Sequence, residues 1–89
     1  MAILMTADVP GQTQEGYDGL LAALRETLEQ AKGFIAHYGA PSDNGWTVME
    51  LWETETDAHQ FFATYVHPIL PAGIKPRRSF VELHSLIQR

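Results

Sequence analysis

The stretch GWTVMELWETETDAHQFF, residues 45–62, changes its hydrophobic period partway along. Up to Glu53 the residues alternate in twos, which is typical of a strand. From Thr54 onward the apolar residues fall at helical spacing, and Thr54 with Asp57 three residues later forms an Asp variant of the capping box. The stretch therefore predicts a strand over residues 46–53 that runs directly into a capped helix.

Four further segments complete the predicted order of elements. Residues 2–7 and 34–40 predict two strands, and residues 78–87 predict a closing strand. A first helix is indicated between the first and second strands, with its start near Thr13 or Gln14. Its apolar positions recur at helical spacing, at Tyr17, Leu20, Leu21, Leu24, Leu28 and Ala31. Gly33 follows at the place expected for a C′ glycine.

The resulting order, βαββαβ over a single domain of residues 1–89, predicts an α+β, ferredoxin-like fold. In that fold a four-stranded antiparallel sheet carries both helices on one face. The other face lacks a cover, so we expect a homodimer to bury it. Alternation along the closing strand suggests that Val81 and Leu83 face the helices. Similar logic predicts that Met49 and Leu51 point inward and that Glu50 points at the partner.

Composition excludes several classes of function. The 89 residues carry a net charge of −5 and no cysteine, which argues against a nucleic-acid partner and excludes disulfides. The one basic cluster, Lys75, Arg77 and Arg78, is expected at a solvated edge. The first apolar run is too short for a signal peptide, and no window could span a membrane. We therefore expect a cytoplasmic protein.

Several motifs together resemble the dimeric α/β-barrel proteins of the antibiotic-biosynthesis monooxygenase type. They are GFIAHYG, GWTVMELWET, AHQFFATYVHPIL, PAGI and VELHSLI, and the step Trp52-Glu53-Thr54 is the most specific among them. The resemblance implies a homodimer with a pocket between the helices and the sheet of each subunit. It also implies oxidation of an apolar, aromatic or polyketide-type molecule without metal, flavin or haem, so no cofactor is expected.

The candidate catalytic residues are polar groups beside predicted aromatic surfaces. An imidazole is a natural base near neutral pH, which makes His37 on the second strand a candidate. Glu50 and His84 could form a pair in which a carboxylate orients an imidazole, if the faces of their strands coincide. Tyr65 on the second helix completes this set. The candidate substrate-binding residues are Tyr17, Met49, Trp52, Phe61 and Phe62.

Two other interpretations of the sequence remain open. A protein of the same fold could be a cyclase or isomerase, or a ligand-binding accessory protein without redox chemistry. Alternatively, the aromatic residues could merely fill the core of a dimer, and that interpretation predicts no cavity.

Overall fold

A computed structural model describes all 89 residues, Met1–Arg89. The elements follow the predicted order βαββαβ, and the second helix continues through a π-helical turn and a 3₁₀ turn. Their bounds are β1 Ile3–Pro10, α1 Gln14–Glu29, β2 Phe34–Ser42, β3 Gly45–Trp52, α2 Glu55–Phe61, the π-helical turn Phe62–Val66, the 3₁₀ turn His67–Ile69 and β4 Arg77–Glu82.

The four strands form one antiparallel sheet in the order β2-β3-β1-β4, with both helices on one face. This arrangement confirms the predicted ferredoxin-like fold. Two buried clusters fill the space between the sheet and the helices. The first contains Met5, Ala7, Val9 and Trp46, and the second contains Leu28, Trp52, Ala58 and Phe61.

Threonine side chains begin both helices. Thr54 Oγ1 accepts the backbone N–H of Asp57 at 3.1 Å, as the sequence predicts. Thr13 Oγ1 does the same for the N–H of Gly16 at 3.0 Å. The predicted role of Gly33 is wrong, because α1 ends at Glu29 and Gly33 lies in the following turn with φ of 80°.

The closing strand is shorter than predicted. β4 pairs only with β1, and that pairing ends where Ile3 lies opposite Glu82. Beyond it, a single backbone bond of 2.9 Å joins the N–H of Leu83 to the carbonyl of Ala2. Residues 83–87 therefore fall outside the sheet, because no strand remains for them to pair with.

The predicted facing of two strands is wrong. Glu50 lies opposite Met5, whose side chain is buried under the helices, so Glu50 faces the helices as well. Met49 and Val81 lie on the other face and are 41% and 57% exposed. Alternation fixes which residues share a face within one strand, but strand pairing decides which face meets the helices.

The sheet face away from the helices is apolar and exposed over much of its area, although Leu51 on this face is 4% exposed. Tyr38 on β2 is 51% exposed there, beside Met49 and Val81. Leu4 lies opposite both Leu51 and Val81, which continues the apolar surface across the sheet. Neither helix combines the length and apolar character that a membrane crossing needs.

Candidate active site

A cavity of about 120 Å³ lies between the inner face of the sheet and the two helices. Of the 20 residues that line it, 15 are hydrophobic. The leucines of α1, together with Phe61, Phe62 and Val66 of the second helical segment, supply much of the apolar wall. The polar lining residues are Gln12, Tyr17, His37, Glu50 and Arg78. This void contradicts the interpretation in which the aromatic residues only fill a core.

A β-bulge aims His37 into this cavity. Phe34 lies opposite Trp52, whereas Ala36 lies opposite Leu51, so β2 contains one extra residue at Ile35. Beyond the bulge His37 lies opposite Glu50 on the inner face. Without the extra residue His37 would lie opposite Met49 on the outer face. Bulges commonly re-aim side chains beside functional sites in this way.

Three cavity residues form a continuous chain of short hydrogen bonds. Tyr17 Oη is 2.6 Å from His37 Nε2, and His37 Nδ1 is 2.7 Å from Glu50 Oε2. An ionised carboxylate only accepts, so Glu50 assigns the proton to Nδ1. In the neutral imidazole Nε2 then accepts the hydroxyl proton of Tyr17. The chain is therefore directed from Tyr17 towards Glu50.

Trp52 fixes the far end of this chain. Its indole N–H donates to Glu50 Oε1 at 3.0 Å, so both carboxylate oxygens have a donor. Trp52 is 1% exposed and packs against Phe34 and Phe61, at centroid distances of 5.5 and 5.6 Å. The orientation of Glu50 is thus held by the rigid core rather than by solvent.

Tyr17 is held between an indole and a glycine. Its ring stacks on Trp46 at 5.1 Å between centroids, and its hydroxyl lies where a Cβ at Gly39 would be. Burial raises the pKa of Tyr17 above its ordinary value, and the charges of Glu50 and Asp18 raise it further. Tyr17 is consequently a neutral hydrogen-bond donor near pH 7.

The indole N–H of Trp46 is the one buried side-chain group without an acceptor. An unpaired buried donor costs about 1–3 kcal/mol. Trp46 lines the cavity and stacks on Tyr17, so this unpaired donor belongs to the candidate site.

Arg78 closes the opposite side of the cavity from β4. Its guanidinium carbon lies 3.9 Å from the ring centroid of Phe62 and 5.3 Å from that of Phe80. Burial lowers the pKa of Arg78, and the Glu50 carboxylate opposes this shift. The expectation that Arg78 lies at a solvated edge is wrong, because its side chain shares the inner face with Phe80 while that of Arg77 points to the other face.

Solved structures share this architecture over nearly the whole chain, although no protein-family model and no curated protein matches the sequence. SnoaB, a cofactor-independent oxygenase from Streptomyces nogalater, superposes in a mutant form with a TM-score of 0.71 at 10% identity, covering 99% of this chain and 97% of that chain. A second SnoaB structure gives 0.62 at 10% identity, covering 99% and 96%.

A protein of Shewanella loihica PV-4 that has been proposed to be a monooxygenase gives a TM-score of 0.67 at 15% identity, covering 96% of both chains. The present chain therefore shares its fold with these oxygenase and monooxygenase-like structures. At these identities the likeness concerns the fold and not the reaction.

The structure brings five of the predicted site residues together at the cavity. They are Tyr17, His37, Glu50, Phe61 and Phe62. Glu50 forms its hydrogen bond with His37, and not with His84 as the sequence suggested. Their catalytic and binding roles remain predictions.

Four other predicted residues lie away from the cavity wall. Met49 is on the outer sheet face, and His84 is exposed beyond the end of β4. Tyr65 packs on Phe61 at 5.2 Å but lines a separate, polar cleft between the helices. Trp52 lies behind Glu50 and not in the wall.

Sequence reasoning missed Arg78 and Trp46 as cavity residues. Trp46 shares a face with Glu50 and Trp52 in the alternation of β3, which was the available signal. For Arg78 the signal was its alternation with Phe80 along β4. No group of three or more His, Cys, Asp or Glu side chains is positioned to hold a metal ion.

Proposed function

We propose that the protein is a cofactor-independent, monooxygenase-like enzyme that acts on an apolar, aromatic small molecule bound in the cavity. The observation that carries the proposal is the directed chain from Tyr17 through His37 to Glu50, set in a mostly apolar wall. A fold shared with a cofactor-independent oxygenase supports it. The sequence named His37 as a candidate base, but it did not show that Tyr17 and Glu50 bind to its two ring nitrogens.

The chain can accept a proton from a phenolic substrate. A substrate hydroxyl that donates to Tyr17 Oη lets the Tyr17 proton pass to His37 Nε2, which forms an imidazolium. The Glu50 carboxylate is 2.7 Å from Nδ1, so it stabilises that cation. The raised pKa of Tyr17 means that tyrosinate does not persist, so the tyrosine relays the proton and His37 holds it.

The resulting phenolate is electron-rich enough to react with dioxygen itself. One electron passes from the phenolate to dioxygen, and the radical pair then forms a carbon–oxygen bond at an open ring position. The hydroperoxide that results loses water to leave a quinone-type carbonyl. One oxygen atom ends in the product and the other in water, so a phenol with one dioxygen gives one quinone and one water.

The apolar wall would protect this chemistry from solvent. With 15 of 20 lining residues hydrophobic, few groups in the cavity hold water next to a reactive anion. Low polarity also strengthens the hydrogen bonds along the relay. Phe61 and Phe62 offer ring faces and edges against which an aromatic substrate can pack.

Oxygen dependence tests the proposal directly. The purified protein, with no added cofactor, is incubated in an oxygen electrode with catechol and resorcinol, two single-ring phenols that each have an open position para to a hydroxyl. We expect dioxygen uptake above the uncatalysed rate, with one atom of labelled ¹⁸O₂ in the product. Equal product formation under strict anaerobiosis would overturn the proposal, and so would uptake unchanged in His37→Ala.

A non-oxidative function is the second candidate, because the relay itself needs no oxidant. Moving a proton between carbon and oxygen of an enolisable ligand would make the protein an isomerase or cyclase. The anaerobic arm of the same experiment separates the two candidates, and binding without product would indicate an accessory protein.

The uncovered sheet face supports a homodimer. Its exposed apolar side chains, Tyr38, Met49 and Val81, form a surface that a second copy of this chain could bury. A domain of about 90 residues gains little stability from its own core, which adds a reason to associate.

A further inference from the structure

Among the polar residues of the cavity, only Arg78 has a side chain with neither a hydrogen-bond acceptor nor an ion-pair partner in the protein. None of the ion pairs includes it, and none of the side-chain hydrogen bonds does. By contrast Tyr17, His37 and Glu50 satisfy one another. Gln12 accepts the N–H of Thr13 at 3.0 Å. A half-buried cation without a counter-ion is costly to keep in an apolar wall.

The aromatic neighbours of Arg78 contact its guanidinium without accepting ordinary hydrogen bonds from its N–H groups. Its central carbon lies over the Phe62 ring at 3.9 Å, and Phe80 lies within 5.3 Å. Such cation–π contacts fix the plane of the group. The N–H donors point outward in that plane, in the fork geometry that matches a carboxylate. None of its nitrogens is both buried and unpaired, so the edge stays accessible.

The sheet register sets the distance between this fork and the proton relay. Glu50 lies opposite Met5, and Arg78 lies opposite Ala7, so the two residues are two strands and two residues apart on the same face. With about 4.8 Å between strands and about 3.4 Å rise per residue, their Cα atoms are about 12 Å apart. Both residues line the cavity, so a ligand that spans part of this distance could contact the two groups.

The cavity volume limits an enclosed ligand to a single ring. A cavity of roughly 150 Å³ lined by apolar side chains holds benzene. The volume here is about 120 Å³, and part of the lining is polar. Ala7 lies between Val48 and Arg78 in the sheet, and its small side chain takes up little of the cavity volume at this point.

We propose that the cavity binds a monocyclic hydroxyaromatic carboxylate, with its carboxylate on the guanidinium edge of Arg78 and its hydroxyl at Tyr17, the end of the relay that leads to His37. This assignment rests on the proposed function for the direction of the hydroxyl, and it names the substrate class of that same site. The net negative charge of the chain does not oppose it, because charges beyond about 8 Å are largely screened at physiological salt.

Binding measurements test the carboxylate without requiring turnover. Isothermal titration compares 4-hydroxybenzoate with 4-hydroxybenzyl alcohol, a neutral molecule of similar size. We expect the carboxylate to bind wild-type protein at least about 10-fold more tightly, given the usual strength of a charge-assisted bidentate pair. In Arg78→Gln that preference should disappear, while the alcohol should bind within about 3-fold of wild type.

Arg77→Gln is the matched control, because Arg77 is the preceding residue on the same strand but faces the other side of the sheet. It removes the same charge from the protein and should leave the preference intact. Arg78→Lys keeps the charge but loses the fork, so it should retain only part of the preference. If circular dichroism shows that Arg78→Gln does not fold, Arg78→Lys replaces it in the binding comparison.

Three outcomes would overturn the assignment. They are equal binding of the acid and the alcohol to wild type, an undiminished preference in both Arg78 variants, and an equal loss in Arg77→Gln. The outcome is independent of the oxygen-dependence experiment. A carboxylate preference without oxygen uptake would reject the monooxygenase function and keep the ligand class. Oxygen uptake with neutral phenols only would keep the monooxygenase function and reject the ligand class.

Discussion

His37 lies directly opposite Glu50 across β2 and β3, and its Nδ1 is 2.7 Å from Glu50 Oε2. The two side chains are only 17% and 15% exposed at the wall of an apolar cavity, so the contact is shielded from bulk water. Tyr17 extends the contact on one side and Trp52 on the other. An imidazole oriented by a carboxylate is the arrangement that makes a histidine an effective base.

Glu50→Gln should lower turnover by about 10²–10⁴-fold, since the base loses the charge that stabilises its protonated form. The side chain keeps its size, so folding should be retained. Steady-state kinetics on an electron-rich phenol measure the effect. Glu53→Gln is the control, because Glu53 is exposed just past the end of β3. Full turnover by Glu50→Gln would remove the relay from the mechanism.

Tyr17 should ionise at a pH above the ordinary tyrosine value, because burial, Glu50 and Asp18 all raise its pKa. Carbon-13 NMR of the tyrosine Cζ atoms can follow this titration, with Tyr17→Phe assigning the signal. Glu50→Gln removes the second of the three causes, so it should lower the pKa of Tyr17 without restoring the ordinary value. No change in Glu50→Gln would contradict the assigned contribution.

The same shift predicts how stability depends on alkaline pH. Above about pH 10 unfolded tyrosine releases its proton, while folded Tyr17 keeps it until the higher, folded-state pKa. The contribution is therefore complete below about pH 10 and is lost as pH rises through the folded-state pKa. Urea unfolding from about pH 9 to about pH 11, one unit either side of the ordinary tyrosine pKa, should show a flatter decline in Tyr17→Phe than in wild type.

Gly39→Ala should displace Tyr17 from His37, because the added Cβ would overlap the Tyr17 hydroxyl. We expect a loss of about 1–3 kcal/mol in unfolding free energy from overpacking, together with reduced turnover. Gly19→Ala is the matched control. A Cβ at Gly19, on α1, meets nothing within 4 Å and should stabilise the helix by about 0.5–1 kcal/mol. Wild-type activity in Gly39→Ala would argue that the Tyr17 contact is dispensable.

Thr54→Ala should destabilise the protein by about 1 kcal/mol, because it removes the acceptor for the N–H of Asp57 at the start of α2. Thermal or urea unfolding measures the change. Thr56→Ala makes the same chemical change at an exposed position inside the helix. It should be neutral or slightly stabilising, so an equal loss in both variants would exclude capping as the cause.

Met49→Glu should weaken self-association if the outer sheet face is the dimer interface, since it places a charge at the centre of that apolar surface. Sedimentation velocity at micromolar concentrations compares it with wild type. Gln60→Glu adds the same charge at an exposed position on α2 and should leave the oligomeric state unchanged. A wild-type monomer would contradict the proposed dimer outright.

Much of the fold follows from local patterns in the sequence. The change of period at Thr54 correctly predicted the end of β3 and the start of α2, because capping depends on residues within one turn. The apolar stripe on α1 likewise predicted the helix face that lines the cavity. Boundaries at β4 were wrong, since strand length depends on the partner strand and not on the strand alone.

The site was predicted only in part. His37, Glu50 and Tyr17 were each recognisable as chemically competent residues, but nothing local joined them. Their meeting depends on the antiparallel register of β2 with β3 and on the extra residue at Ile35. One residue of register moves a side chain to the opposite face of a sheet.

By itself, then, the sequence determined the order of elements, the capped helix after Trp52 and the aromatic character of the pocket. These depend on interactions between near neighbours in the chain. Only the tertiary structure decided that Glu50 faces the helices, that His37 meets it, and that Arg78 completes the cavity. Those facts depend on pairing between strands distant in sequence, where burial of one sheet face under the helices selects one register from several.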